Sequence, residues 1–349
     1  VKKGGAEMES RIPFLLTTLI FFGIFLISGE ALAKSSPRAD RAIDPIVSTD
    51  WLEKSLGEIN LIILDIRSPD DYGTGHIPGS INEPFATGFT PSTGPTSKWI
   101  VGSADGLWLE LPPATDLFKT IGDLGISKAS RVVIVTAPNP GEPPFYGLAN
   151  GTRVAFTLIY AGVKNVAVLD GGYPKWAAEG KRADTKGTPP VETIPYKGKA
   201  GKSALASREY VKSQVKKAGI LDARDADVYF GVTIEPFANK PGHIPSAKSL
   251  PAPWIWDLKA TKAGGKASSY YTYKGTETLG SMASGVLGHA SGSRGPKNQE
   301  IIVYCGVGGY ASSWWFVLTQ VLGYSNVKLY DGAAQEWAKH YEMVPYQWD

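Results

Sequence analysis

The residue best equipped for covalent chemistry is Cys305, the only cysteine among 349 residues. It sits in Tyr304-Cys305-Gly306-Val307-Gly308-Gly309-Tyr310-Ala311-Ser312, a pattern that runs from a strand end through a loop into a helix start. Glycines at 306, 308 and 309 permit backbone conformations closed to other residues, so several N–H groups can turn inward. A helix beginning near Ala311 would add the positive end of its dipole. Both effects stabilise negative charge on sulfur, which predicts a lowered thiol pKa and a nucleophilic thiolate. The competing reading is an inert cysteine packed at a strand end, and it leaves the crowded glycines unexplained. A single cysteine excludes an internal disulfide and a thiol-only metal site, and direct attack by a thiolate calls for no metal or organic cofactor.

The elements that must position this loop occur twice. Leu64-Asp65-Ile66-Arg67 in the first half matches Leu221-Asp222-Ala223-Arg224 in the second, and Gly75-His76-Ile77-Pro78 matches Gly242-His243-Ile244-Pro245. The β-branched runs Val132–Val135 and Ile301–Tyr304 follow in each half. Each half then closes on a matched block, Asp170-Gly171-Gly172 through Trp176 and Asp331-Gly332 through Trp337. Four matched blocks in the same order imply a duplicated domain. Short apolar strands alternating with helical patterns predict an α/β fold with parallel strands joined by right-handed crossovers. In the first half the pattern predicts helices at Ser48–Leu56 and Thr152–Tyr160, with strands at Leu61–Ile66 and Val166–Leu169. Thr136 takes the place of Cys305, and the loop after it holds Pro138, Pro140, Pro143 and Pro144, which have no N–H to offer. A compact anion cradle is therefore not expected there, and the first domain is read as inactive, forming at most one wall of a cleft.

Lys2, Lys3 and Arg11 precede the mainly apolar run Ile12–Ile27, which ends at Ala31-Leu32-Ala33. This is the three-part layout of a secretory signal over residues 1–33, and it implies an exported, periplasmic protein. An uncleaved membrane anchor is the alternative, although the run is shorter than the roughly 20 apolar residues a span usually needs. The domains are read as 43–184 and 205–349, joined by a Gly-, Pro- and Lys-rich linker over 185–204. A formal charge of +3 is too small and too dispersed to favour nucleic acid as a partner.

The Asp-x-Arg pairs, the two Gly-His-Ile-Pro blocks, the strand ending in Cys305 and the late Asp-Gly…Trp blocks together resemble the rhodanese family, in its tandem-domain form. The resemblance covers roughly residues 43–341. It implies two domains, each a parallel sheet of about five strands flanked by helices, with the cysteine kept only in the second. It further implies a sulfurtransferase in which Cys305 carries sulfur as a persulfide. A small anionic donor, thiosulfate or 3-mercaptopyruvate, would supply the sulfur, and a thiol, cyanide or a protein would accept it. The implied substrate-binding residues are Gly306, Val307, Gly308, Gly309, Tyr310, Ala311 and Arg224, with Asp222 and His243 in support. The loop lacks basic residues and so resembles the mercaptopyruvate type, but Tyr310 stands where that type has a small hydroxyl residue. Val228 likewise stands where a further arginine is usual. Lys240, His289 and Arg294 are the remaining candidates to pair an anionic donor. The related cysteine phosphatases need an arginine six positions after the nucleophile, where this chain has Ala311. The segment 254–297 is longer than a connection requires and reads either as a lid or partner-contacting loop, or as a solvated insertion. The reading from another class is an envelope accessory module that binds without turnover.

Overall fold

Each half folds from the apolar runs that its sequence marks. The protein is described by a computed structural model over residues 41–92, 94–138, 143–263, 266–288 and 296–348. The signal-like stretch 1–33, Pro140, His289 and Arg294 lie outside the described residues. The first half runs β1 (Ile46–Val47), α1 (Thr49–Ser55), β2 (Leu61–Asp65), α2 (Pro69–Thr74) and β3 (Ile81–Asn82). A small hairpin of β4 (Gly88–Thr90) and β5 (Gly94–Thr96) follows, then α3 (Ala114–Asp123), β6 (Arg131–Val135), α4 (Pro144–Tyr160), β7 (Asn165–Leu169) and α5 (Gly172–Ala178). The second half runs β8 (Leu205–Ala206), α6 (Arg208–Gln214), β9 (Gly219–Asp222), α7 (Ala226–Phe230) and β10 (Ala247–Ser249). After them come β11 (Trp256–Ala263), β12 (Lys266–Tyr273), α8 (Thr276–Leu287), β13 (Ile301–Tyr304), α9 (Gly309–Phe316), β14 (Val327–Tyr330) and α10 (Ala333–His340).

The strands form two five-stranded sheets, ordered β1-β7-β6-β2-β3 and β8-β14-β13-β9-β10, and every pairing within them is parallel. The orders are equivalent position by position, so the duplication seen in sequence is a duplication of topology. The central strands are continuously apolar because helices cover both faces of a parallel sheet. Local signals start the helices: Ser48 caps α1 by accepting from Trp51 N at 3.1 Å, and Ser207 caps α6 from Tyr210 N at 3.2 Å.

The repeated motifs lock to one another. Arg67 grips Asp65 through Nε and Nη2, and donates from Nη2 to the carbonyl of Gly75 at 2.9 Å. Arg224 repeats this on Asp222 and on the Gly242 carbonyl at 2.7 Å. His76 stacks on Tyr72 with ring centroids 3.7 Å apart and donates from Nδ1 to the Tyr72 carbonyl; His243 does the same on Tyr229 at 3.9 Å. Both histidines are buried. Each Asp-x-Arg and Gly-His-Ile-Pro pair is thus one buried bracket that fixes the loop leaving the second core strand.

Two features depart from the sequence reading. The first-half helix starts at Pro144 rather than Thr152, because proline at the first helical position needs no partner for an N–H it does not have. The insertion after residue 254 is built from regular elements where it is described. Over its described residues it forms the β11–β12 hairpin and α8, and its hairpin grips the first half. Phe145 contacts Trp256 and Tyr271 at centroid distances of 6.1 and 5.2 Å, and Tyr273 N donates to Asp170 Oδ1 at 2.8 Å.

The helix after each central strand, α4 and α9, meets its counterpart between the sheets. Small residues let them approach: the Thr152 hydroxyl lies 3.0 and 2.8 Å from those of Ser312 and Ser313, and Phe156 meets Trp315 edge to face at 4.7 Å. A single apolar cluster runs from Ile134 and Phe156 of the first half to Trp314 and Leu329 of the second. The aromatic run Trp314-Trp315-Phe316 is therefore core.

Candidate active site

Cys305 lies immediately beyond β13, in the centre of its sheet, where a parallel sheet opens between its crossover connections. Gly308 caps α9 in the left-handed region, φ +87°, and this turn brings its N–H to 3.1 Å from Cys305 Sγ. The nearby amides of Ala311 and Val307, with that of Gly308, favour the ionised sulfur. Of the three loop glycines, Gly308 alone takes the left-handed conformation and donates to the sulfur.

Its electrostatic consequence is not the one expected. Burial pushes the Cys305 thiol up to about 11; the Glu235 carboxylate pushes the same way, against the amides of Ala311, Val307 and Gly308. Withdrawal from water disfavours the anion by more than three neutral donors restore. The resting group is a thiol, with roughly one molecule in 10⁴ ionised at neutral pH. Alkylation of Cys305 by iodoacetamide should accordingly rise by about tenfold per pH unit from neutrality toward pH 10. Glu235→Gln, which removes a repelling charge, should raise the rate by about threefold near pH 9. A rate that levels off below pH 8 would show that the amides prevail.

The cysteine is 3 % exposed, yet it borders a cavity of about 810 Å³. Gly306, Val307, Gly309 and Tyr310 of the loop line it, while Gly308 and Ala311 do not. The first half supplies the opposite wall. Phe89 and Pro95 come from the β4–β5 hairpin, and Phe85, Trp108 and Tyr146 from neighbouring segments. The bare Cα of Gly94 lies against the Trp108 ring, which leaves no space for a side chain there. Tyr310 is accommodated by the first half: its ring packs on that of Tyr146 at 5.3 Å.

This wall is held by ionic and amide contacts between the halves. Gln335 brackets the Trp108 backbone, accepting from its N–H and donating to its carbonyl, both at 2.9 Å. Asp331 accepts from Leu111 N at 3.0 Å and from Arg153 Nη1 at 2.5 Å, while Arg153 Nη2 donates to the Leu109 carbonyl. Asp331 belongs to the late Asp-Gly block and Arg153 to α4, so one duplicated motif has become a clamp between the domains. At the position equivalent to Cys305, the Thr136 hydroxyl donates to the Gly147 carbonyl at 2.6 Å.

Neither Arg224 nor Lys240, the described residues among the cations expected to pair an anionic donor, borders the cavity. Arg224 is 1 % exposed, bound to Asp222 and Gly242, and does not border the cavity. Its pair with Asp222, which also accepts from the Tyr304 hydroxyl at 2.6 Å, is structural, as is the stacked His243. Lys240 is paired with Glu342 at 3.0 Å, away from the cavity. Val228 is buried in α7. Arg67 does border the cavity, but its guanidinium is held by Asp65, by the Gly75 and Asp71 carbonyls, and over the Tyr173 ring at 3.8 Å.

Sequence reasoning missed Glu235 and Phe237, which border the cavity beside Cys305. A signal existed. Arg67 and Gly75 are eight positions apart in the first half, whereas Arg224 and Gly242 are eighteen apart, and the additional residues carry both side chains. Among the described residues no cluster of His, Cys, Asp and Glu could hold a metal ion, and no helix is long and apolar enough to cross a membrane.

Comparison with known proteins agrees with this geometry. The rhodanese-like domain model matches twice, over residues 48–179 and 207–340. A Mycobacterium leprae protein named "Putative thiosulfate sulfurtransferase" is 27 % identical over 86 % of this chain and 96 % of its own length. The "Sulfur carrier protein TtuD" of Thermus thermophilus is 30 % identical over 84 % of this chain and 93 % of its own. Among solved structures, the anaerobic ergothioneine biosynthesis enzyme of Chlorobium limicola, in complex with trimethyl histidine, superposes with a TM-score of 0.64. It is 21 % identical, over 86 % of this chain and 71 % of that one, so it speaks for the fold alone. With a domain model matched twice, two equivalent sheets and one cysteine at the mouth of the second, this chain belongs to the rhodanese-like sulfurtransferase family.

Proposed function

We propose that this protein moves a sulfane sulfur through a Cys305 persulfide. The donor is 3-mercaptopyruvate or thiosulfate, and the acceptor is a thiol, cyanide or a protein. The observation that carries the reading is a lone thiol that accepts from the Gly308 amide at the edge of a cavity large enough for donor and acceptor. Thiolate attack on the sulfane sulfur makes the Cys305 S–S bond and breaks the donor's bond to that sulfur. The leaving group, sulfite or pyruvate enolate, takes the electron pair. The amides that the resting thiol uses poorly have their larger effect on the persulfide, which is the stronger acid and more readily anionic. They lose no free energy to reorientation when that charge forms.

The carboxylates of Asp70, Asp71 and Glu235 border the cavity with Arg67, whose guanidinium is already engaged. This balance supports the singly charged 3-mercaptopyruvate over the dianion thiosulfate, in keeping with a loop that carries no basic side chain. The basic, apolar and small-residue sequence up to Ala33 supports an exported setting. The test is intact-protein mass spectrometry after incubation with each donor. A gain of one sulfur on Cys305, faster with 3-mercaptopyruvate, is expected. An unmodified thiol with both donors would instead support an accessory module that binds without turnover.

A further inference from the structure

Behind the cavity, around Arg224, buried charge is more negative than positive. Arg224 faces two carboxylates: Asp222, which grips it through both oxygens, and Glu235, whose Oε2 lies 3.6 Å from Nη1. That oxygen is out of solvent and accepts no hydrogen bond. Burial pushes the Glu235 carboxyl up to about 7, with Arg224 opposing and Asp222 and Asp225 reinforcing. Asp70 and Asp71 add negative charge at the opposite wall. Between them the walls are aromatic. Trp108 touches Phe89 edge-on at 5.7 Å and Phe237 at 6.0 Å, and Tyr146 packs on Tyr310. Ring faces and a carboxylate lacking a full counter-charge attract the same kind of ligand.

We propose that the cavity's acceptor subsite takes an organic cation with a flat or apolar body, its positive charge set against Glu235 and its body against Trp108 and Phe237. The acceptor class is an amine-bearing thiol. Its role rests on the persulfide reading above, whereas its binding does not. In the transfer step the acceptor thiolate attacks the outer sulfur of the persulfide. The new S–S bond forms as the Cys305 S–S bond breaks, and Cys305 leaves with the electron pair as thiolate. No further oxidant or reductant enters.

Calorimetric titration of the full chain near pH 8 tests this with three probes of similar size: 2-phenylethylammonium, 2-phenylethanol and phenylacetate. The cation is expected to bind about tenfold more tightly than the alcohol, and the anion more weakly than either. Glu235→Gln should bring the cation to the level of the alcohol, and Trp108→Leu should weaken all three probes. The second variant keeps the test open should the first fail to fold. Equal affinities, preference for phenylacetate, no binding of any probe, or a cation preference that survives Glu235→Gln would each overturn the proposal. Failure of the persulfide reading shows separately, as absence of sulfur gain on Cys305 in the mass spectrum.

Discussion

Cys305→Ser is expected to lower sulfur transfer by about 10⁴-fold or more, the scale of removing a nucleophile, while the fold is retained. The serine hydroxyl is smaller than the thiol and fits the same site. Gly308 N, now facing oxygen in place of sulfur, keeps a polar partner. The difference lies in ionisation and polarisability: burial already holds the thiol near 11, and a hydroxyl in that setting does not ionise at any workable pH. Steady-state transfer to cyanide, together with thermal unfolding of the same sample, checks both halves of the expectation. Turnover retained within tenfold, with the melting temperature unchanged, would exclude Cys305 as the sulfur carrier.

The largest effect on stability is expected at Arg153→Met. Arg153 is fully buried on α4, yet its partners are Asp331 of the other half and the Leu109 carbonyl. Glu110 lies beside them, its carboxyl pushed up to about 8 by burial and by Asp331, with Arg153 pulling it back down. Removing the guanidinium leaves two carboxylates facing each other out of water, at a cost of about 3–5 kcal/mol. The pH dependence has a definite sign. A carboxyl raised in the folded state ionises first in the unfolded chain, so Glu110 costs stability as pH rises from its ordinary range to about 8. In the variant the folded-state value moves further up, and the loss should continue above pH 8. Denaturant unfolding at several pH values reads both effects. A change below about 1 kcal/mol would show that the clamp between the halves does not depend on this charge.

Much of this architecture could be read in the sequence because repetition carries information that a single domain lacks. The Asp-x-Arg and Gly-His-Ile-Pro blocks identified the two brackets, and the β-branched runs identified the sheet centres, where burial on both faces forces apolar composition. Cys305 stood out in the sequence because it follows a sheet-centre run and precedes glycines at 306, 308 and 309. The rest of the site was not, for two reasons. Sequence shows that Arg224 is charged but not that its charge is consumed by the carboxylate two positions earlier. Nor does any motif mark Trp108, Tyr146, Glu235 or Phe237, which occupy segments of irregular outline and meet only once the halves close on each other. The regular structure of the insertion at 254 escaped the sequence for a similar reason. A run such as Tyr270-Tyr271-Thr272-Tyr273 has strand character, but its partner surface lies about a hundred residues earlier, at Phe145 and Asp170.

The apolar cluster that runs unbroken through α4 and α9 has a consequence for any fragment of this chain. Each half keeps one apolar layer to itself, on the far face of its sheet, and holds the other in common. Severing the chain in the 185–204 strap would bare Phe156 on one fragment and Trp315 on the other, each shaped to the partner it had lost. The half without a thiol is thus a structural necessity for the half that has one, since its removal would wet the face on which α9 rests.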